Sequence, residues 1–218
     1  MTDIRFDDQK KSYLVDLTGK ELKESCEIAW NFCKFFHWAN ASPEELAYRQ
    51  GLMNTPEDPY KVERIGVYGE MAVSLITGWP MDKKVRMHGN EWDFVHNGFK
   101  VDIKTHFGYY HEAAYIQKKY GAYFIKATNG KGELGNLKSD FYLFCNISLP
   151  KFRRDEYNAQ LVQVEVVGAI DKNRVLENAD ERRSRAFWGN FEDYYVKKSE
   201  MIRIADFIKM INESRKES

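Results

Sequence analysis

Cysteine and proline are scarce in this chain, and neither sign of charge prevails. Three cysteines and five prolines are spread over 218 residues. Cys26, Cys33 and Cys145 make no zinc-ligand pattern. So odd and sparse a set reads as reduced thiols, and the expected compartment is cytoplasmic. Thirty-three basic residues balance 33 acidic ones, which removes a broad electrostatic hold on nucleic acid but leaves room for a local basic groove. No apolar run approaches the roughly 20 residues that span a bilayer. The opening MTDIRFDDQKKSY carries no hydrophobic signal segment, so no membrane partner is expected. Internal repeats and low-complexity tracts are also missing.

What remains is the composition of a folded protein, 43% hydrophobic, 30% charged and 15% aromatic. The length suits one elaborated domain or two small ones. The pattern divides near residue 57. Residues 1–57 read as an accessory helical region after a short extended SYLVDL; a helix capped by Thr18, with Glu21 three residues on, runs through Leu22, Ile28, Ala29, Phe32 and Phe36. Cys26 and Cys33 share a face of it, and Ser42-Pro43 starts a second helix. Residues 58–218 read as the core. A helix predicted over 58–77, with Asp58 as cap and a stop at Gly78, precedes a run of strands: VRMH, EWDFVH, FKVDIKT, AYFIKAT, DFYLFCNIS and QLVQVEVVGAI. HEAAYIQKKY is helix or loop, and NGKGELGN a loop. The last two strands are apolar almost throughout, as strands buried on both faces are. The end of the chain reads as a strand running into a helix capped by Ser199, with Met201, Ile204, Ile208 and Ile211 as its stripe. The predicted fold class is α/β (α+β), a mixed sheet flanked by helices.

One stretch, EWDFVHNGFKVDIKT over 91–105, carries the chemistry. Asn97-Gly98 is the dipeptide of a two-residue type I′ hairpin. That turn sets Phe94 opposite Val101, Asp93 opposite Asp102, Trp92 opposite Ile103 and Glu91 opposite Lys104. Alternation gives one face Trp92, Phe94, His96, Phe99, Val101 and Ile103, and the other Glu91, Asp93, Val95, Lys100, Asp102 and Lys104. Like charges directly opposite destabilise a sheet, so the two aspartates need a reason. Solvation of an uncovered face is one, with Lys104 then half of an ion pair with Glu91. A shared divalent cation is another. Upstream, Glu70 lies on the 58–77 helix beside Gly66 and Gly69, whose simplest use is close approach of that helix to the sheet.

Glu70, Asp93, Asp102 and Lys104, in this order, resemble the PD-(D/E)XK nuclease superfamily, in which a helix supplies a glutamate and a hairpin supplies an Asp and then (Asp/Glu)-x-Lys. Asp102-Ile103-Lys104 is the second element. Trp92 stands where many members have proline. The resemblance covers 60–110 and extends more loosely to about 210. It implies a restriction-endonuclease-like sheet, an endonuclease with DNA as partner, and a homodimer as one expected assembly. Physical reasoning converges with it. Hard oxygen ligands without a His/Cys cluster suit Mg²⁺, with Mn²⁺ as a substitute. Asp93, Asp102 and the Ile103 backbone carbonyl would ligate the metal, Glu70 directly or through water, and Lys104 would orient the attacking water and offset charge on the phosphate. Lys83, Lys84, His106, Lys118 and Lys119 are weaker candidates for substrate contact, each read otherwise as solvated or packing. The competing reading is a catalytically idle, nuclease-like subunit for nucleic-acid binding or assembly.

Overall fold

A computed structural model describes residues 2–39, 61–83, 92–109, 122–126, 137–149, 161–177, 183–185 and 192–214. Its order is β1 (Asp3–Asp7), β2 (Ser12–Thr18), α1 (Gly19–Ala39), α2 (Lys61–Thr77), β3 (Phe94–His96), β4 (Phe99–Tyr109), β5 (Ala122–Lys126), β6 (Phe141–Leu149), β7 (Leu161–Asp171), α3 (Lys172–Leu176), β8 (Arg183–Arg185), β9 (Glu192–Lys197), β10 (Ile202–Arg203) and α4 (Ile204–Glu213). The main sheet runs β1-β2-β7-β6-β4-β3, with β10 also on β7; β5, β9 and β8 form a second, three-stranded sheet. Among the described residues only β4 and β6 pair in parallel. The architecture is mixed α/β, a mixed sheet flanked by helices.

The two faces of the main sheet bury different partners. On one, Val101, Ile103, Leu143, Cys145 and Val164 pack with Ile65, Tyr68, Met71 and Ala72 of α2 and with Ile204, Phe207 and Ile211 of α4. On the other, Tyr142, Phe144, Val167 and Ile170 pack with Tyr123, Ile125, Tyr194 and Val196 of the three-stranded sheet. This double burial is why β6 and the second half of β7 are apolar on both faces. A bulge in β7, where Phe144 pairs with Gly168 but Cys145 with Val166, resets its alternation.

Several expectations change here. Residues 3–39, expected as an accessory helical region, add two strands and a helix to the main sheet. β2 pairs with β7 from Tyr13–Val166 to Thr18–Leu161, and Val15 and Leu17 are fully buried. The boundary near 57, the Ser42 helix start, the Asp58 cap, VRMH, HEAAYIQKKY and NGKGELGN lie outside the described residues. Ser199 does not cap the last helix. It sits in a 3₁₀ turn, Lys198–Glu200, and α4 begins at Ile204 after β10 has paired Ile202 with Ala169. Sheet pairing wins at Ile202–Arg203 over an earlier helix start, and Met201 packs on the three-stranded-sheet side. The expected stop of α2 holds: Gly78, at φ +73°, donates its N–H to the Ser74 carbonyl at 2.8 Å.

Candidate active site

The hairpin forms as its turn dictates. Asn97 and Gly98 have φ of +50° and +85°, the left-handed pair that a type I′ turn requires. His96–Phe99, Val95–Lys100 and Phe94–Val101 pair in the expected register. The ladder then stops one residue short of the aspartates. Asp93 N–H donates to the Val101 carbonyl at 3.0 Å, so successive residues of the first strand address Val101, as in a bulge. Asp93 therefore does not stand opposite Asp102 as a ladder partner; its Oδ2 accepts the Ile103 N–H at 2.6 Å. Trp92, expected on the core face, instead lies with its ring 3.8 Å from Lys100 Nζ, because a bulge reverses the alternation upstream of it. Glu91 lies outside the described residues.

Asp102 and Lys104 do share a face. They form an ion pair of 2.6 Å, with 18% and 32% of their side chains exposed. Their strand neighbours Val101 and Ile103 point the other way, into the helix-side core. Glu70 follows Gly69, which lets α2 descend onto the helix-side face of β4. A Cβ at Gly69 would stand 1.9 Å from Thr105 Oγ1 and 3.3 Å from Ile103 Cγ2. At Gly66 a Cβ would meet nothing within 4 Å, so only one of the two glycines serves the close approach.

The electrostatics record the crowding. Burial first, then the charges of Asp102 and Asp82, push Glu70 up to about 7. Burial, Glu70 and Asp102 hold Asp93 well above the usual carboxylate range, against the opposing pull of the Ile103 N–H and Lys104. Asp93 thus feels both Glu70 and Asp102, and Glu70 feels Asp102. Asp82 is a fourth that the sequence reading missed, and its only signal was its place four residues after the helix-stopping Gly78. The donors present, carboxylates and a backbone carbonyl with no thiolate or imidazole among them, match the chemistry of a hard divalent cation. Among the described residues no group of three or more His, Cys, Asp or Glu side chains is placed to hold a metal ion. Asp93 is turned to Ile103 and Asp102 to Lys104 instead.

The substrate candidates separate. His106 follows Lys104 on the same face of β4, its ring 5.4 Å from Tyr123 and 6.1 Å from Phe144. Burial and then Lys104 drive its pKa down to about 4. Lys83 is exposed and paired with Glu24 of α1. Lys84, Lys118 and Lys119 lie outside the described residues. Cys26 is half-buried, its Sγ 3.7 Å from Tyr68 Oη; the side chain of Cys33, and with it the expected shared face, lies outside the described residues. Among the described residues no helix is long and apolar enough to cross a membrane.

Compared with known proteins, the chain matches no family model, no curated protein and no solved structure.

Proposed function

We propose that this protein is a metal-dependent phosphodiesterase, an endonuclease acting on DNA, built on a restriction-endonuclease-like core. The observation that carries the reading is the Asp102–Lys104 ion pair on one strand face, with the half-buried Asp93 bonded to the Ile103 N–H beside it and influenced by Glu70, Asp102 and Lys104. A module that only binds has no use for so costly a concentration of carboxylates around one lysine. Glu70, Asp93, Asp102 and the Ile103 carbonyl would hold Mg²⁺ or Mn²⁺. The cation, when bound, supplies polarisation of the phosphoryl oxygen and lowers the pKa of its water. Lys104 places a fixed positive charge beside the carboxylates, where it offsets charge developing on the phosphate and orients the attacking water. The bulge at Asp93 turns its carboxylate to the Ile103 N–H, where it feels the charge of that lysine.

A second reading, an idle nuclease-like subunit, draws on a specific observation. Asp93 bonds the Ile103 N–H and Asp102 bonds Lys104, so both carboxylates are satisfied within the chain. One experiment separates the two. Plasmid, linear duplex and single-stranded DNA are incubated with wild type, Asp102→Ala and Lys104→Ala, in Mg²⁺, Mn²⁺ or EDTA. Cation-dependent cutting by wild type, lost in both variants, is expected. Full activity in either folded variant defeats the assignment, and a folded wild type that cuts nothing favours the idle subunit.

A further inference from the structure

The main sheet ends in β1, and among the described residues only β2 pairs with it. Asp3 to Phe6 are all exposed. The strand DIRFD alternates, so Asp3, Arg5 and Asp7 lie on one face and Ile4 and Phe6 on the other. Ile4 and Phe6 stand 42% and 40% exposed. They prolong the helix-side apolar face past its buried part. Ile4 pairs with the fully buried Val15, and Phe6 with Tyr13, the two rings edge-on at 5.0 Å. An edge strand turns unpaired N–H and C=O groups outward, a template for a further strand.

The charged face holds an opposition of its own. Asp3 pairs with Asp16, and Asp16 with Gln163, in a row across three strands. Like charges directly opposite destabilise a sheet. Arg5 bridges the two carboxylates, 3.2 Å from Asp3 and 2.8 Å from Asp16. Gln163 donates to the other Asp16 oxygen at 2.8 Å. One guanidinium thus serves two carboxylates, and about half of the Asp3 and Arg5 side chains stays open, 55% and 50%.

Symmetry limits which second strand fits this edge. Two copies of β1 pairing antiparallel about a two-fold axis need a residue on the axis facing its own copy, because side chains opposite each other share a face. Centred on Arg5, the pairing sets Arg5 against Arg5 and Asp3 against Asp7, like charge throughout. Centred on Phe6, it is cut short by the turn that follows Asp7. Centred on Ile4, it sets Asp3 opposite Arg5 of the second copy, Ile4 opposite Ile4, and Thr2 opposite Phe6. Each Asp3–Asp16 opposition then gains a second guanidinium, and the exposed Ile4 and Phe6 side chains meet apolar neighbours. Charges usually guard an edge against added strands; here their spacing repels in one register and attracts in another.

We propose that the outer edge of β1 is a dimerisation edge for a second copy of this chain, the two β1 strands pairing antiparallel with Ile4 on the two-fold axis. The inference rests on this edge alone and is independent of the nuclease reading. The contact is one short strand a side and belongs with the small, weak interfaces, so a Kd on the order of 10–100 µM is expected.

Sedimentation velocity over roughly 1–300 µM protein, a range that brackets this affinity, gives the first test. Wild type should pass from monomer to dimer as concentration rises. Ile4→Lys, at an exposed position where folding is spared, sets two ammonium groups on the axis and should weaken association about tenfold. A wild type that stays monomeric throughout overturns the proposal, and so does a dimer that Ile4→Lys leaves untouched. Oxidative cross-linking tests the register, with wild type as the control for its three native cysteines. Ile4→Cys should give a disulfide-linked dimer, because its two copies face each other within disulfide reach. Phe6→Cys should not, because its two copies lie four residues apart along the strands, about 13 Å. Failure of Ile4→Cys to cross-link, or efficient cross-linking through Phe6→Cys, overturns the assigned pairing.

Discussion

Replacing Gly69 by alanine tests how Glu70 reaches the sheet. In an unconstrained helix, Gly→Ala gains about 0.5–1 kcal/mol through the backbone entropy lost by glycine on folding. Here the added Cβ would stand 1.9 Å from Thr105 Oγ1, where ordinary contacts begin at 3.4 Å, so helix and strand must part by about 1.5 Å or Thr105 must turn. Turning helps little, because Thr105 Cβ remains at 3.2 Å and Ile103 Cγ2 at 3.3 Å, and a β-branched residue in a strand is stiff at χ1. Overpacking of this kind costs about 1–3 kcal/mol. The upper part of that range, less the helix gain, leaves Gly69→Ala destabilised by about 1–2 kcal/mol, a fall in Tm of roughly 2–8 °C for a chain of this size. Gly66→Ala is the internal control. It lies one turn away in the same helix and meets nothing within 4 Å, so it should raise Tm by roughly 1–4 °C. Thermal and urea unfolding of both, with Gly69→Ala/Thr105→Ala as the relieving double variant, measure the contact directly. The double variant should recover at least about 0.5 kcal/mol relative to the sum of its parts. A Gly69→Ala protein as stable as Gly66→Ala would refute the close approach.

Two further predictions concern charge and packing. Glu70, raised to about 7 in the folded chain from a usual 4.5, keeps its proton where the unfolded chain has lost it; stability should therefore decline as pH rises from about 4.5 to about 7 and level off above. Glu70→Gln should flatten that slope in urea midpoints taken across the range, and an unchanged slope would remove Glu70 as its source. At Gly168 an added Cβ would stand 2.7 Å from the Ile202 carbonyl oxygen, which is backbone and cannot rotate aside. Gly168→Ala should cost about 1–3 kcal/mol and free β10, seen as faster amide exchange at Ile202 and Arg203; unaltered protection there would contradict the pairing.

Short-range rules read much of this molecule from its sequence. Asn97-Gly98 admits few backbone solutions, so the turn and the three pairs beside it followed from two residues. The faces of Val101 and Ile103 against Asp102 and Lys104 followed from alternation alone, and the end of α2 from Gly78. Apolar continuity marked β6 and β7 as strands covered on both sides. Each is a local consequence of backbone sterics or side-chain period.

Tertiary contacts decided the rest. The ladder left its register at Asp93, where a side-chain bond to the Ile103 N–H took the place of the next pair. Gly66 and Gly69 look alike in the sequence and differ only in what faces them. SYLVDL announced a strand, but its partner, β7, lies some 150 residues away, and no local pattern names a partner at that distance. Asp82 and the row Asp3–Asp16–Gln163 belong to the same class, because residues remote in the chain become neighbours only when strands settle side by side. Composition and periodicity specify which residues prefer which local geometry; which of them meet is set by the packing that buries both faces of the sheet.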